Sequence, residues 1–144
     1  MKNIGPEEAK DILDSDPSAV YIDVRTEQEF ANGHVPSSLN IPVVWPDQAT
    51  RQMKQNPDFV KVVATQFPKD KRIIVGCQAG GRSQFAAQLL EQDGFANVSN
   101  MQGGFGGARD QMGNVTPGWL QLGLPVEMEV RPEKSYATLS KTKG

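Results

Sequence analysis

The 144-residue sequence contains a single cysteine, Cys77, and a single histidine, His34. One cysteine excludes an internal disulfide, and nothing in the composition indicates an oxidising compartment. One histidine excludes a zinc cluster of the usual cysteine and histidine type, so we expect no metal site. A lone cysteine that forms a covalent adduct must also pass that adduct to an outside molecule.

Long apolar segments and a strong charge imbalance are missing as well. No apolar run approaches the ~20 residues needed to span a bilayer, so we expect no membrane partner. The start, MKNIGPEEAK, has no apolar segment and two glutamates, which is not typical of a targeting peptide and predicts a cytoplasmic protein. The net charge of −2 predicts no nucleic-acid partner, because such a surface needs a basic face.

Apolar runs and amphipathic segments alternate along the chain. Residues 19–24 and 72–76 are rich in β-branched residues and are typical of buried parallel strands, and residues 98–101 predict another. Pro6 and the Thr26–Glu29 capping box each predict the start of a helix. The alternation predicts an α/β fold: one domain with about five parallel strands and helices on both faces of the sheet.

Three further predictions concern the organisation of the chain. A short strand is expected at residues 39–41, and the turn at Trp45-Pro46-Asp47 predicts a short helix after it. The domain should cover residues 3–130. The polar, lysine-bearing residues 131–144 predict a flexible C-terminal tail.

The segment CQAGGRS, residues 77–83, joins a predicted strand to a predicted helix. Its glycines permit tight turns that aim backbone N–H groups at an anion. The positive helix end and the Arg82 guanidinium would favour negative charge at the same place, so a thiol there should ionise easily. We interpret Cys77 and Arg82 as catalytic. We interpret the loop as substrate-binding: Gln78, Ala79, Gly80, Gly81, Arg82 and Ser83.

The alternative for Cys77 is that it is a small buried hydrophobic residue, as free cysteines often are.

The number of residues between Cys77 and Arg82 indicates which chemistry the loop can support. Four residues lie between Cys77 and Arg82, and cysteine-dependent phosphatases place one residue more in this interval. The tighter ring has room for about one additional atom on the sulfur, held by the surrounding N–H groups. A persulfide, Cys–S–S⁻, fits that description.

Three groups of motifs follow one another along the chain. The first comprises residues 21–25 (YIDVR), 29–30, 33–36 and 40–42, the second is residues 77–83, and the third is Gln102-Gly103-Gly104-Phe105. In this order they resemble the amino-terminal signature, the catalytic loop and the carboxyl-terminal signature of the rhodanese family. The matches occur in the family's order and cover roughly residues 3–128. Residues 56–59 and 74–78 also resemble single-domain plant and bacterial sulfurtransferases.

The resemblance implies sulfur transfer in two steps. Cys77 would take a sulfane sulfur from thiosulfate or a similar small anionic donor, and cyanide or a thiol, including a protein thiol, would remove it. No metal or organic cofactor is implied. Two alternatives stay open: a phosphatase or arsenate reductase on the same scaffold, and a non-catalytic module that binds a partner or relays persulfide.

The sequence departs from the family pattern after Phe105, where an insertion precedes Trp119. We expect this insertion, residues 106–118, to overhang the pocket, with Phe105 at the rim. Arg109 within it is interpreted as a second cation for the substrate, or as a solvated residue paired with Asp110.

Several polar residues have a structural interpretation beside the functional one. We expect Asp23 and Arg25 to support the site from behind, with Asp23 accepting loop N–H bonds and Arg25 paired to an acid such as Glu29. His34 is interpreted as a hydrogen-bonded turn residue rather than a general base. Ser83 is expected to cap the helix, with donation to the persulfide compatible with that role.

Overall fold

The structure is a computed structural model that describes residues 1–142 and confirms the predicted α/β fold. Nine strands are present in this part of the chain: β1 (Lys2–Ile4), β2 (Val20–Asp23), β3 (Leu39–Asn40), β4 (Val44–Pro46), β5 (Met53–Gln55), β6 (Ile73–Gly76), β7 (Val98–Met101), β8 (Ala108–Arg109) and β9 (Val115–Thr116). Five of them form one sheet in the order β1-β7-β6-β2-β3, with every neighbouring pair parallel. The other four form two antiparallel hairpins, β4–β5 and β8–β9.

Local sequence explains where the helices begin. The five α-helices of the described chain are α1 (Pro6–Ser15), α2 (Glu27–Ala31), α3 (Phe59–Gln66), α4 (Gly81–Gln92) and α5 (Tyr136–Leu139). Pro6 opens α1, where its missing N–H costs nothing. At α2, the Thr26 side chain accepts from the Glu29 amide, and the Glu29 carboxylate accepts from the Thr26 amide. This capping box was predicted, and it fixes the position of Glu29.

Alternation along the strands divides the apolar core between the two faces of the sheet. Ile22 and Val75 pack with buried residues of α3 and α4 on one face. Tyr21 and Ile74, their neighbours in sequence, pack with α1 on the other. Period-two alternation sends successive side chains to opposite faces, so helices cover both sides, as predicted.

The strand register brings three loops to one edge of the sheet. Asp23 at the end of β2 pairs with Gly76 at the end of β6, and Val75 pairs with Asn100 near the end of β7. The chain leaving each of these strands therefore emerges at the carboxyl edge, where ligands bind in parallel sheets. Cys77 follows β6 at this edge.

The short helix predicted after Pro46 is wrong, because the chain forms the β4–β5 hairpin there. The Asp47 carboxylate accepts from the Ala49 amide, and the Asp47 carbonyl accepts from the Arg51 amide. Asp side chains close turns in this way, competing with helix formation. The turn brings Trp45 opposite Lys54.

The flexible tail predicted from residue 131 is helical as far as the structure describes it. Short 3₁₀ helices, Pro132–Lys134 and Ser140–Thr142, flank α5. Leu139 is buried in the core against α3, and the Tyr136 hydroxyl accepts from the Asn56 side chain. One apolar anchor is enough to dock a polar segment, so the packed domain extends beyond residue 130. The last two residues of the predicted tail lie outside the described residues.

Candidate active site

Cys77 lies directly after β6, where the chain turns into α4. Its Sγ accepts a hydrogen bond from the Gly80 amide at 3.0 Å. Gly80 has φ of 111°, a conformation that favours glycine, and it occupies the cap position at which α4 begins. Among the described residues, the Gly80 amide is the loop donor that reaches Sγ, whereas a wider ring of amides was expected. The rest of the Cys77 side chain packs against the apolar core.

Arg82, in the first turn of α4, forms an ion pair with Glu29 of α2. Its Nη1 and Nη2 donate to Oε1 and Oε2 of Glu29 at 2.6 and 2.9 Å. These bonds and donation from Thr26 outweigh partial burial and lower the pKa of Glu29 to about 2. The pairing of Arg25 with Glu29 expected from the sequence is wrong, because Arg82 takes that carboxylate. Glu29 is thus a site residue that the sequence interpretation did not assign.

Arg25 is buried beneath the loop and pairs with Asp23. Its Nε and Nη2 donate to the Asp23 carboxylate, with the shortest contact at 2.7 Å. Burial works against the charge, but the hydrogen bonds to Asp23 prevail and raise the pKa of Arg25. Asp23 also accepts a hydrogen bond from the Arg25 backbone amide. The sequence analysis had instead predicted that Asp23 accepts from backbone amides of the loop at residues 77–83.

Arg25 also holds the residue next to the cysteine. Its Nη1 donates to Oε1 of Gln78 at 3.0 Å, and its Nη2 donates to the Gly33 carbonyl at 2.7 Å. The side-chain Nε2 of Gln78 lies close to Gly106, because a Cβ added to Gly106 would be only 2.0 Å from this nitrogen. The Gln78 side chain therefore packs inward, and the loop position of Cys77 is tied to Arg25.

The glycine-rich segment after β7 is bonded to the catalytic loop by its backbone. The Phe105 amide donates to the Cys77 carbonyl at 2.8 Å, and the Gly106 amide donates to the Gln78 carbonyl at 2.9 Å. A Cβ on Gly104 would lie 2.6 Å from the Cys77 carbonyl oxygen. Phe105 is 6% exposed, with the Arg25 guanidinium 4.7 Å from its ring centroid, so it is a core residue rather than the predicted rim residue.

Ser83 does not cap α4, contrary to the prediction. The cap position is Gly80, and the Ser83 hydroxyl is buried within hydrogen-bonding distance of Asn100 Oδ1, at 2.5 Å, and of the Gly80 carbonyl, at 3.1 Å. Asn100 in turn donates to the Asn3 side chain of β1. This chain of polar groups is buried at Ser83 and Asn100 and ends at the exposed Asn3, and it contacts the Gly80 carbonyl through Ser83. The two asparagines were not singled out in the sequence.

The insertion that follows Phe105 forms the β8–β9 hairpin beside the catalytic loop. Ala108 and Thr116 of the hairpin and residues 79–81 line one cavity of about 310 Å³. Arg109 is exposed. Asp110, its proposed partner, instead accepts hydrogen bonds from the Met112 and Asn114 amides and closes the hairpin turn.

A larger cleft of about 700 Å³ lies on the side of the site formed by α2. Thr26 on its wall donates to the carboxylate of Glu29 that holds Arg82. Trp45, Lys54 and Tyr136 form other walls, from the β4–β5 hairpin and α5. The sequence analysis did not predict this cleft, because several of its walls come from the β4–β5 hairpin and α5, and other structures were predicted for those two segments.

His34 is a buried structural residue of the turn after α2. Its Nδ1 lies 2.7 Å from the Phe30 carbonyl and its Nε2 lies 3.2 Å from the Glu127 carboxylate. The imidazole stacks on Phe30, with ring centroids 3.7 Å apart. Both ring nitrogens are occupied, which is the hydrogen-bonded turn role expected from the sequence.

Residues 1–142 show neither a metal cluster nor a membrane-spanning helix. They hold no group of three or more His, Cys, Asp or Glu side chains that could bind a metal ion. None of their helices combines the length and the apolar character needed to cross a membrane.

Comparison with known proteins identifies the family. The family model described as the rhodanese-like domain matches residues 5–110. Thiosulfate sulfurtransferase 16, chloroplastic, from Arabidopsis thaliana is 36% identical over 107 residues, which are 74% of this chain and 78% of that protein. Protein HIGH ARSENIC CONTENT 1, mitochondrial, from the same plant is 45% identical over 85 residues, which are 59% of this chain.

The match to the second plant protein spans only 49% of its length, so the chain corresponds to about half of that relative. Among solved structures, the crystal structure of Rv0390 from M. tuberculosis superposes with a TM-score of 0.70 at 27% sequence identity, covering 90% of this chain and 98% of that one. The family model matches more than half of the chain, and the matched residues include Cys77. The chain belongs to the rhodanese-like domain family.

Proposed function

We propose that this chain is a sulfurtransferase that carries a sulfane sulfur as a persulfide on Cys77. The donor is thiosulfate or a similar anion, and the acceptor is cyanide or a thiol. The observation that carries the proposal is the hydrogen bond from the Gly80 amide to Cys77 Sγ at the start of α4. An N–H donor and a helix N-terminus both favour a sulfur anion. A relative named thiosulfate sulfurtransferase supports the choice of donor.

In the first step, the Cys77 thiolate attacks the outer sulfur of thiosulfate. A bond forms between Sγ and that sulfur while the sulfur–sulfur bond of thiosulfate breaks, and sulfite leaves with the bonding electron pair. Charge is conserved, because the persulfide anion replaces the thiolate anion. This is covalent catalysis, and the Gly80 amide that donates to Cys77 Sγ stabilises the thiolate from which the step starts.

In the second step, a thiolate or cyanide attacks the outer sulfur of the persulfide. The bond to Sγ breaks, its electron pair returns to Cys77 as the thiolate, and the acceptor leaves as its own persulfide or as thiocyanate. The two half-reactions share one site and give ping-pong kinetics.

Arg82 has the role of binding the sulfonate end of the donor. Glu29 accepts one N–H from each terminal nitrogen of the guanidinium, which has further N–H donors for an oxyanion. The ion pair thus orients Arg82 without using all of its donors.

Arg82→Ala should weaken thiosulfate use much more than folding. Losing a charge-assisted hydrogen bond raises KM for thiosulfate by roughly tenfold to a hundredfold. The partly exposed ion pair contributes no more than about 1 kcal/mol to the free energy of unfolding. Steady-state kinetics and urea denaturation measure the two effects, and parallel losses would mean that Arg82 is only structural.

Mass spectrometry tests the proposed function directly. Incubation with thiosulfate should add one sulfur, ~32 Da, to the wild-type protein as the covalent intermediate. Cys77→Ser should gain no mass, and an adduct that persists in this variant would overturn the assignment.

The same preparation distinguishes the alternative activities. A phosphatase would hydrolyse a small aryl phosphate, and an arsenate reductase would consume arsenate with a thiol reductant. Either activity without the sulfur adduct would replace the proposal. An adduct that is released neither to cyanide nor to a small thiol, and only to a protein thiol, would instead favour a persulfide-relay module.

A further inference from the structure

The cleft of about 700 Å³ beside α2 has no role in the sulfur transfer proposed above. Its walls come from the first turn of α2, the β4–β5 hairpin and α5, and none of residues 77–83 lines it. Two aromatic residues, Trp45 and Tyr136, and two prolines, Pro42 and Pro46, are among the lining residues. Their rings give the cleft stiff apolar walls, because aromatic and proline side chains have few rotatable bonds.

A buried asparagine holds the aromatic wall in place. The side-chain Nδ2 of Asn56, which is 5% exposed, donates to the Pro42 carbonyl at 2.8 Å and to the Tyr136 hydroxyl oxygen at 3.0 Å. The ring centroids of Trp45 and Tyr136 lie 6.2 Å apart, with the ring planes at 53°. Because these contacts join segments that are distant in sequence, the wall is formed without a ligand.

The aromatic wall has hydrogen-bond donors without an acceptor in the protein. Within residues 1–142, the Trp45 indole N–H donates to no protein group, and the Tyr136 hydroxyl accepts from Asn56 without donating. The same part of the chain has no fully buried side-chain nitrogen or oxygen that lacks a partner, so the indole nitrogen is accessible to solvent. A ligand that fits this wall should therefore present carbonyl oxygens.

The charged groups of the cleft favour a basic ligand. Glu27, Asp47 and Lys54 line it, which gives two negative groups and one positive group. Glu27 is exposed in the first turn of α2, and Lys54 lies opposite Trp45 in the hairpin. An arginine or lysine of the ligand would find a carboxylate here, whereas an acidic residue would meet more negative charge than positive.

We propose that this cleft binds a proline-rich segment of a partner protein, in the polyproline II conformation and with a basic residue at one end. Such a segment has no internal hydrogen bonds, and its prolines carry carbonyls but no N–H groups, so it needs donors rather than acceptors. Its pyrrolidine rings pack on aromatic side chains, which is how aromatic-lined grooves in general take up these segments.

The size of the cleft agrees with this ligand. The volume falls within the ~300–1,000 Å³ typical of ligand pockets, which suits a few residues of extended chain rather than a whole domain. Binding is non-covalent and uses no residue of the loop that carries Cys77. The inference therefore goes beyond the proposed function and does not depend on it.

A peptide titration of the full chain tests the inference. The probe is an oligoproline peptide that ends in arginine; one comparison peptide has alternating glycine and serine in place of the prolines, and another has glutamate in place of the arginine. In NMR spectra, the Trp45 indole N–H signal should shift with the probe and much less with either comparison peptide. The indole of Trp119 is the internal control, since it is buried and donates to the Pro125 carbonyl, and its signal should not shift.

Three substitutions test the individual contacts. Trp45→Phe and Tyr136→Phe each keep an aromatic ring and remove one donor, and each should weaken Kd for the probe by about threefold to tenfold, the effect of one lost neutral hydrogen bond. Glu27→Gln should weaken it by about twofold to fivefold through the loss of an exposed ion pair. Glu7→Gln is the matched control, because Glu7 is an exposed glutamate in the first turn of α1, and it should leave Kd unchanged.

Three results would overturn the inference. The first is the absence of a shift of the Trp45 indole signal with the oligoproline peptide, and the second is equal binding of the glycine–serine peptide. The third is a shift with free arginine or tetramethylammonium that the peptide does not produce, which would assign the cleft to a small cation. The titration contains no thiosulfate, so failure of the ~32 Da gain that tests the proposed function leaves its result intact.

Discussion

Two arginines at the site have similar surroundings and different tasks. Arg25 is 3% exposed, and each of its three guanidinium nitrogens donates to a protein group: Asp23, Gln78 or the Gly33 carbonyl. The Arg82 side chain is 25% exposed and bound to Glu29 at its tip. A buried guanidinium with protein partners at every nitrogen supports the loop at residues 77–83, whereas a partly exposed one can still contact a ligand.

Glu29 should make the protein sensitive to acid. Its pKa falls from 4.5 to about 2 on folding, so its stabilising effect is complete above the unfolded value and is lost as pH falls toward the folded one. Because the Glu29 side chain is 33% exposed, solvent screening limits this effect to about 1 kcal/mol. Urea denaturation at pH 6 and pH 3 should show a larger loss for wild type than for Glu29→Gln, and equal losses would contradict the prediction.

At the scale of elements, the catalytic loop depends on the segment after β7. Backbone hydrogen bonds join Phe105 and Gly106 to Cys77 and Gln78. Close approach of two backbones requires glycine at their contact, and Gly104 occupies that position with φ of 63°. The segment at residues 102–105 therefore shapes the turn that carries Cys77.

Gly104→Ala should disturb the site through that contact. The new Cβ would lie 2.6 Å from the Cys77 carbonyl oxygen, so the loop must move, and backbone strain adds ~1–3 kcal/mol. We expect slower persulfide loading by mass spectrometry together with a lower melting temperature.

Gly113→Ala separates strain from displacement. Gly113 also has a positive φ, of 83°, but a Cβ added to it would meet no heavy atom within 4 Å. This variant should lose some stability while loading persulfide at the wild-type rate. Equal loading by the Gly104 and Gly113 variants would show that the contact with Cys77 is unimportant.

At the scale of the whole molecule, the C-terminal segment completes both the core and the larger cleft. Leu139 is 4% exposed and packs against α3, while Tyr136 forms part of the cleft wall beside Trp45. The domain is therefore larger than the motif-bearing part of the chain.

A cytoplasmic location stays a prediction, and two relatives are named as chloroplastic and mitochondrial proteins.

Leu139→Ala should lower the free energy of unfolding by ~2–4 kcal/mol, since a buried leucine leaves a cavity when truncated. Lys141→Ala is the control, because Lys141 is exposed in the same segment, and it should change stability by less than ~0.5 kcal/mol. A flexible tail would make both substitutions neutral in urea denaturation.

Local sequence was sufficient to predict strands β2, β3, β6 and β7, the capping box of α2 and the loop that carries Cys77. Each depends on residues that are neighbours in the chain, such as β-branched runs, a Thr and a Glu three apart, and glycines between a strand and a helix. Strand β1 was not located, because three residues are too few to show a pattern. The segments that form the β4–β5 hairpin and α5 were predicted as a short helix and a flexible tail. The turn closed by Asp47 and the burial of Leu139 decided their structure instead.

The sequence by itself determined the alternation of strands and helices, the position of Cys77 at a strand end and the family. Tertiary structure decided that Glu29 pairs with Arg82 rather than Arg25, that Phe105 lies in the core, and that the β8–β9 hairpin lies beside residues 79–81. The reason is physical: periodicity and capping act over a few adjacent residues, whereas the partner of a charge and the walls of a cavity depend on how close distant segments come when the core packs.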